Sequence, residues 1–295
     1  MVANNKFKKV SFIGFGLINS SLARIFKSKS LADEIIAYSR SKNTRSKIKK
    51  LNIVDKVTDN LQEAVKNADL IILGVPVGAM ESIVKEFSNS IMKGAILTDV
   101  GSIKKDIINS VTPLLPKDVN FVPGHPIAGT EKSGPEAGFE NLFKGHWCIL
   151  TPTKDTSKSA ITKITNMWKQ AGMSVTLMDA DYHDRVLAIT SHIPHLVAYS
   201  IVGTVAELED HLKTEVIKYS AGGFRDFTRI AASDPIMWRD VFLNNGDAVL
   251  EMLGRFIEDL TALQKSIRWK DGEALEELFT KTRTIRKGII SAKQD

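Results

Sequence analysis

Short apolar runs alternate with stretches of helical periodicity as far as Asp179, and beyond that point no strand pattern remains. This asymmetry restricts the possible folds more than any single residue does. Residues 9–13 (Lys-Val-Ser-Phe-Ile) form an apolar run ending at Gly14, the pattern of a buried parallel strand. Similar runs follow at 34–38, 70–75, 95–100, 120–123, 148–151 and 174–178. Between them, residues 17–27, 44–51, 80–90, 104–115 and 157–171 carry apolar side chains at helical spacing. Alternation of this kind predicts a parallel sheet with right-handed crossovers. After Asp179 only helices are predicted, the longest over 182–208 and 235–269. The expected architecture is α/β: a parallel-sheet domain over 1–179, then an all-helical domain over 180–295. Long apolar-striped helices in so short a segment cannot cover their own faces. Two copies pairing through them, a homodimer, is the expected solution.

The chain has 295 residues, enough for two cores, and a formal net charge of +6. Lys42, Lys47, Lys49 and Lys50 cluster without interleaved aromatics, which reads as a solvated helix face and not as a nucleic-acid surface. No unbroken run of about 18 apolar residues occurs, so no membrane partner is expected. The stretch Met1–Lys9 is polar, so no signal peptide is expected. Cys148 is the single cysteine; it excludes an internal disulfide and fits a cytoplasmic location.

Gly14-Phe15-Gly16-Leu17-Ile18-Asn19 follows the first strand and opens the first helix. Glycines there permit a tight turn and close approach of a pyrophosphate to helix N-terminal amides, the Rossmann-type dinucleotide site. Asn19 stands where a third glycine is usual. The second strand ends Tyr38-Ser39-Arg40; lacking an acidic residue and offering an arginine, it favours NADP over NAD, with dual use possible. Further along, His125 lies among glycines in Gly124-His125-Pro126-Ile127-Ala128-Gly129-Thr130-Glu131. Histidine is the side chain suited to moving a proton near neutral pH. A proton acceptor beside a hydride-accepting cofactor describes a dehydrogenase.

At this point the chain resembles the prephenate and arogenate dehydrogenase family of tyrosine biosynthesis, over nearly its whole length. The resemblance rests on Gly14–Ile18, Val75-Pro76-Val77, Asp99-Val100-Gly101-Ser102-Ile103-Lys104, His125–Glu131, Ser191-His192-Ile193-Pro194-His195, the block Gly222–Arg229 and Asp234-Pro235-Ile236-Met237-Trp238. It implies oxidative decarboxylation: a hydride leaves the hydroxyl-bearing ring carbon, the ring carboxylate departs as carbon dioxide, and the ring becomes aromatic. It assigns proton acceptance to His125, and to Ser102 a hydrogen bond that fixes the His125 tautomer. Arg229 is implied to bind the ring carboxylate, with Asp226 orienting a basic neighbour. Ser191, His192 and His195 line the substrate pocket, Thr130 and Glu131 its rim, and Trp238 one wall. Phe15, Leu17, Ile18, Val75, Pro76 and Gly101 join Gly14, Gly16, Ser39 and Arg40 on the cofactor side. His183 is expected to do no more than help anchor the long helix. His192 and His195 lack a third ligand, so no metal is expected. With no room for an appended regulatory domain, feedback by tyrosine is expected to act at the active site.

Two other readings remain. A β-hydroxyacid dehydrogenase shares the plan of a sheet domain followed by a helical one. A dinucleotide-sensing protein without chemistry would be expected to lack His125, Ser102 or Arg229, and all three are present.

Overall fold

The computed structural model describes residues 6–291; the expectation for the first five residues lies outside them. Nine strands occur among the described residues: β1 (Phe7–Ile13), β2 (Ala32–Tyr38), β3 (Lys56–Thr58), β4 (Leu70–Leu73), β5 (Ile96–Asp99), β6 (Asn120–Val122), β7 (Gly124–Pro126), β8 (Trp147–Leu150) and β9 (Ser174–Leu177). The first six form one sheet in the order β3-β2-β1-β4-β5-β6, every pairing parallel. Its helices are α1 (Leu17–Ser28), α2 (Lys42–Leu51), α3 (Leu61–Val65), α4 (Met80–Phe87), α5 (Lys105–Val111) and α6 (Lys158–Gln170). Strand order reverses between β1 and β4, which opens a crevice at their carboxyl ends, where such sheets bind ligands.

Both sheet faces are covered, so its strands are apolar on both sides. Successive residues serve opposite cores. Phe12, Leu70 and Ile72 join one core with Phe26 and Trp168, whereas Ile13, Ile71 and Leu73 join the other with Met80 and Phe87. The three-residue β3 and five-residue α3 were not foreseen; elements so short carry no readable periodicity.

The last strands depart from the single parallel series. Pro123, which has no N–H to give a ladder, separates β6 from β7. β7 leaves the main sheet and pairs antiparallel with β8, which pairs parallel with β9. His125 thereby sits on a strand, opposite Ile149.

The helical remainder comprises α7 (Ala180–Leu187), a π-helical turn (Ala188–His192), α8 (Ile193–Ala206), α9 (Asp210–Tyr219), α10 (Gly222–Thr228), α11 (Pro235–Asn244), α12 (Gly246–Trp269) and α13 (Gly272–Ser291). The predicted helix over 182–208 is a continuous helical run over 180–206, interrupted in kind by the π turn. Pro194, two residues beyond that turn, removes an amide donor and crowds the preceding turn. The predicted 235–269 helix is two helices. The run over 180–206 is long and apolar enough, by length and composition alone, to cross a bilayer, which counting unbroken apolar residues had passed over. It also holds His183, Asp184 and His192 buried inside the protein. By its internal contacts the chain divides into two compact units, one ending at Gly246 and the other starting at Asp247.

Candidate active site

The turn after β1 builds the cofactor side. Gly14 has φ of +80°, and a Cβ there would lie 2.6 Å from Val75 Cγ1, so glycine is required. Gly16 is the N-cap of α1; no side chain caps the helix, and beyond its own chain neighbours no atom lies within 4 Å of the Cβ position. Its first-turn amides are therefore open to an anion, and the turn fits a pyrophosphate. Asn19 Nδ2 donates to Gly14 O at 2.7 Å, so the residue replacing the third glycine staples the turn. Gly74 makes room for it: a Cβ there would fall 2.2 Å from that same nitrogen. Phe15 and Leu17 are buried in the core, so they contribute backbone and not a side-chain contact.

From this turn a cleft of about 430 Å³ runs past Tyr38, Ser39, Arg40, Ser41, Val75 and Pro76. Its far wall comes from α11: Ile236, Arg239 and Asp240. Asp240 Oδ1 accepts from Arg239 Nε at 2.9 Å and from Nη2 at 2.6 Å. Neither residue had been foreseen as part of the cofactor side. They are 199 or more positions from Arg40 in the sequence, and only folding brings them to one cleft.

His125 lies beyond, on β7. Its backbone position is fixed by a buried ion pair. Lys104 Nζ, with no exposed surface, donates to Asp99 Oδ2 at 2.5 Å and to Gly124 O at 2.7 Å. Asp99 Oδ1 accepts Gly124 N–H at 3.1 Å, and Oδ2 accepts Gly101 N–H at 2.8 Å. Two opposite charges and two amides thus bolt the end of β5, the following turn and the start of β7 together. Burial pushes the His125 pKa well below the usual histidine value, with His183, Lys104 and His192 adding to the effect. The imidazole is neutral at neutral pH, as a proton acceptor must be.

The partner of His125 is a finding. Its Nδ1 lies 2.9 Å from Nε2 of His183, and His183 Nδ1 lies 2.7 Å from Asp184 Oδ1. No hydrogen bond joins Ser102 to His125 among the described residues; the expected tautomer-fixing contact is made by His183. The turn that carries Ser102 leads into α5, whose N-cap residue is Lys104. That helix starts at Lys105, and Asp184 caps it from α7, accepting Lys104 N–H at 2.8 Å and Lys105 N–H at 2.9 Å. The start of α7 is capped instead by Asp179, which accepts Tyr182 N–H at 3.1 Å. Asn245 Nδ2 reaches Asp184 O at 3.0 Å and His192 Nδ1 at 3.1 Å.

Sequence comparison bears on this geometry directly. Residues 22–177 match the model of the prephenate dehydrogenase nucleotide-binding domain, and residues 179–281 that of the prephenate dehydrogenase dimerization domain. The cyclohexadienyl dehydrogenase of Zymomonas mobilis is 42% identical over 280 residues, covering 95% of each chain. This chain belongs to the prephenate dehydrogenase family. It is therefore an NAD(P)-dependent oxidoreductase. Among solved structures, prephenate dehydrogenase from A. aeolicus, in complex with hydroxyphenyl propionate and NAD+, is 35% identical and superposes with a TM-score of 0.89 over 96% of this chain and 98% of that one. The arogenate dehydrogenase of Synechocystis is 26% identical, with a TM-score of 0.79 over 95% and 99%.

In this family member the residues expected on the substrate side fall into two groups. His195 stacks on Trp238, ring centroids 3.7 Å apart, and its Nδ1 donates to Ser191 O at 2.9 Å. Trp238 is buried, and His192 meets it edge-on at 5.9 Å. His192 is buried with its Nε2 unpartnered, and burial lowers its pKa to about 4. The second group is exposed: Arg229 Nη1 pairs with Glu131 Oε2 at 3.2 Å. Asp226 orients Arg225, at 3.4 Å, and not Arg229. Thr130 Oγ1 accepts Lys132 N–H at 3.2 Å and shapes the rim turn.

Proposed function

We propose that this protein catalyses the oxidative decarboxylation of prephenate to 4-hydroxyphenylpyruvate, of arogenate to tyrosine, or of both. The observation that carries this reading is His125: an enclosed, neutral imidazole held on a rigid strand, in a chain of this family. Nicotinamide, when bound at the β1–α1 cleft, supplies the acceptor for the hydride. His125 accepts the hydrogen of the substrate hydroxyl as charge builds on that oxygen. Arg229 takes the ring carboxylate by exchanging it for Glu131, and Ser191, His195 and Trp238 hold the ring. Ser102, in the turn between Asp99 and Lys104, is proposed to contact the nicotinamide end. The functional division is placed at residues 179/180.

The finer cofactor reading is NADP over NAD. Ser39, Arg40 and Ser41 line the cleft without an acidic side chain among them, and Arg239, paired with Asp240 on the far wall, brings a second guanidinium from α11. Two guanidiniums suit a phosphate monoester better than a ribose hydroxyl. The proposed assembly is a cytoplasmic homodimer with a small-molecule substrate and no nucleic-acid or membrane partner. Support comes from the dimerization-domain match and from exposed apolar side chains such as Ile267 (65%) and Trp269 (66%). Absorbance at 340 nm with prephenate, arogenate and 3-hydroxyacids, each with NADP and NAD, tests the reading. Turnover of a 3-hydroxyacid alone, or of nothing, would overturn it.

A further inference from the structure

We propose that Asp184 and His183 complete a relay with His125, in which His183 is a positioning residue that sets the His125 tautomer and takes over its proton during turnover. This rests on the reading of His125 as proton acceptor. The direction of the hydrogen bonds fixes both tautomers. Asp184 accepts at both oxygens, from Lys104 N–H and Lys105 N–H, so its carboxylate acts as an acceptor. His183 Nδ1, 2.7 Å away, must then be the donor. A neutral His183 has its lone pair at Nε2, so His125 Nδ1, 2.9 Å away, donates to it. The remaining lone pair of the neutral His125 is then at Nε2, the nitrogen left for the substrate hydroxyl. Reversing any one bond would need a second proton on a buried imidazole.

The same polarity provides a path. As the C–H electron pair leaves the ring carbon, the hydroxyl O–H bond breaks, its proton joins His125 Nε2, and the O–H pair forms the carbonyl. The His125 Nδ1 proton passes to His183 Nε2. His125 is neutral again, and the positive charge rests on His183 against the Asp184 carboxylate. When carbon dioxide leaves and the ring becomes aromatic, the proton returns by the same route to the phenolic oxygen. No net proton is lost.

The groups facing the pair come from five places. Asp99 at the end of β5 and Lys104 before α5 form an internally neutralised pair. Cys148 on β8 carries a thiol that burial pushes up, so it stays uncharged. His192 on the π turn is neutral, which leaves Asp184 on α7 as the uncompensated anion. Burial lowers the His183 pKa and Asp184 opposes it. A proton arriving from His125 is therefore stabilised at His183 by its direct hydrogen bond to a carboxylate.

The test is His183→Gln in the full-length protein, with His183→Phe and His125→Asn alongside. The glutamine Oε1 can accept from His125 Nδ1 and so preserve the tautomer, yet it cannot take a proton. His183→Gln is expected to lower kcat roughly 10²-fold with substrate KM and cofactor Kd unchanged. In mixed H2O and D2O the wild-type kcat should fall along a curve, with two protons moving, and the His183→Gln kcat along a straight line. His183→Phe, which also loses the tautomer, should be slower still. A His183→Gln enzyme with wild-type kcat overturns the relay. In that event a His125→Asn enzyme still slowed would leave the reading of His125 standing, whereas one at the wild-type rate would remove both.

Discussion

A guanidinium that already holds a carboxylate can exchange it for another. Arg229 meets Glu131 at 3.2 Å across the rim, both side chains in contact with solvent, so exchange for the substrate's ring carboxylate carries little desolvation cost. Arg229→Ala should raise substrate KM about 10- to 100-fold, the worth of a hydrogen bond to a charged group, with kcat little changed. An unaltered KM in steady-state assays would count against the clamp. On the cofactor side, Arg40→Ala should raise KM for NADP roughly tenfold or more and leave NAD almost unaffected, and Arg239→Ala should act in the same direction. Equal effects on both cofactors would remove the phosphate assignment. His125 and Arg40 were singled out by residue type and immediate neighbours, and Arg229 by the family resemblance alone. His183 was not: it is 58 positions from His125, and its only local signal is the adjacent acid Asp184.

Among the elements, the β1–α1 turn illustrates how a departure from a motif is absorbed. Asn19 bonds Gly14 O, and Gly74 at the end of β4 leaves the space for its amide. Gly74→Ala should therefore destabilise the fold by roughly 1–3 kcal/mol, as overpacking does, and weaken cofactor binding with it. Thermal melts with and without NADP would measure both; an unchanged Tm would show that Asn19 can relocate without loss. Apart from the three-residue β3, the strand series up to β6 was legible from apolar runs bounded by glycine and proline. The exit of β7 into a second sheet was not, because three residues around a histidine have no period to read. The π turn between α7 and α8 was equally hidden, although Pro194 marked the place where a regular helix would lose a donor.

At the scale of the molecule, buried neutral histidines make acid costly. His192 ionises at about 4 in the folded state, against roughly 6.5 in an unfolded chain. Because the folded value is the lower, the unfolded chain binds the extra proton first. The stability is whole above pH 6.5 and drains as pH falls toward 4, by on the order of 3 kcal/mol for this group. Tm measured across that interval should fall, and His192→Leu should flatten the slope; an unflattened slope would assign the loss to other groups. Association is a second whole-molecule property. Ile267→Glu, on an exposed apolar position of α12, should shift sedimentation toward a slower species if that face pairs two copies, and a variant sedimenting like wild type would place the pairing elsewhere. What the amino-acid order determined by itself was whatever depends on near neighbours: the alternation that makes a parallel sheet, the glycines of the phosphate turn, the family blocks and the imidazole among glycines. Tertiary structure alone decided which atoms meet across the chain. It set Asp184 and His183 behind His125, Lys104 beneath Gly124, Arg239 opposite Arg40 and Glu131 against Arg229. Those contacts rest on hydrogen bonds and charges a few ångströms long between residues tens to hundreds of positions apart, and no local pattern encodes such distances.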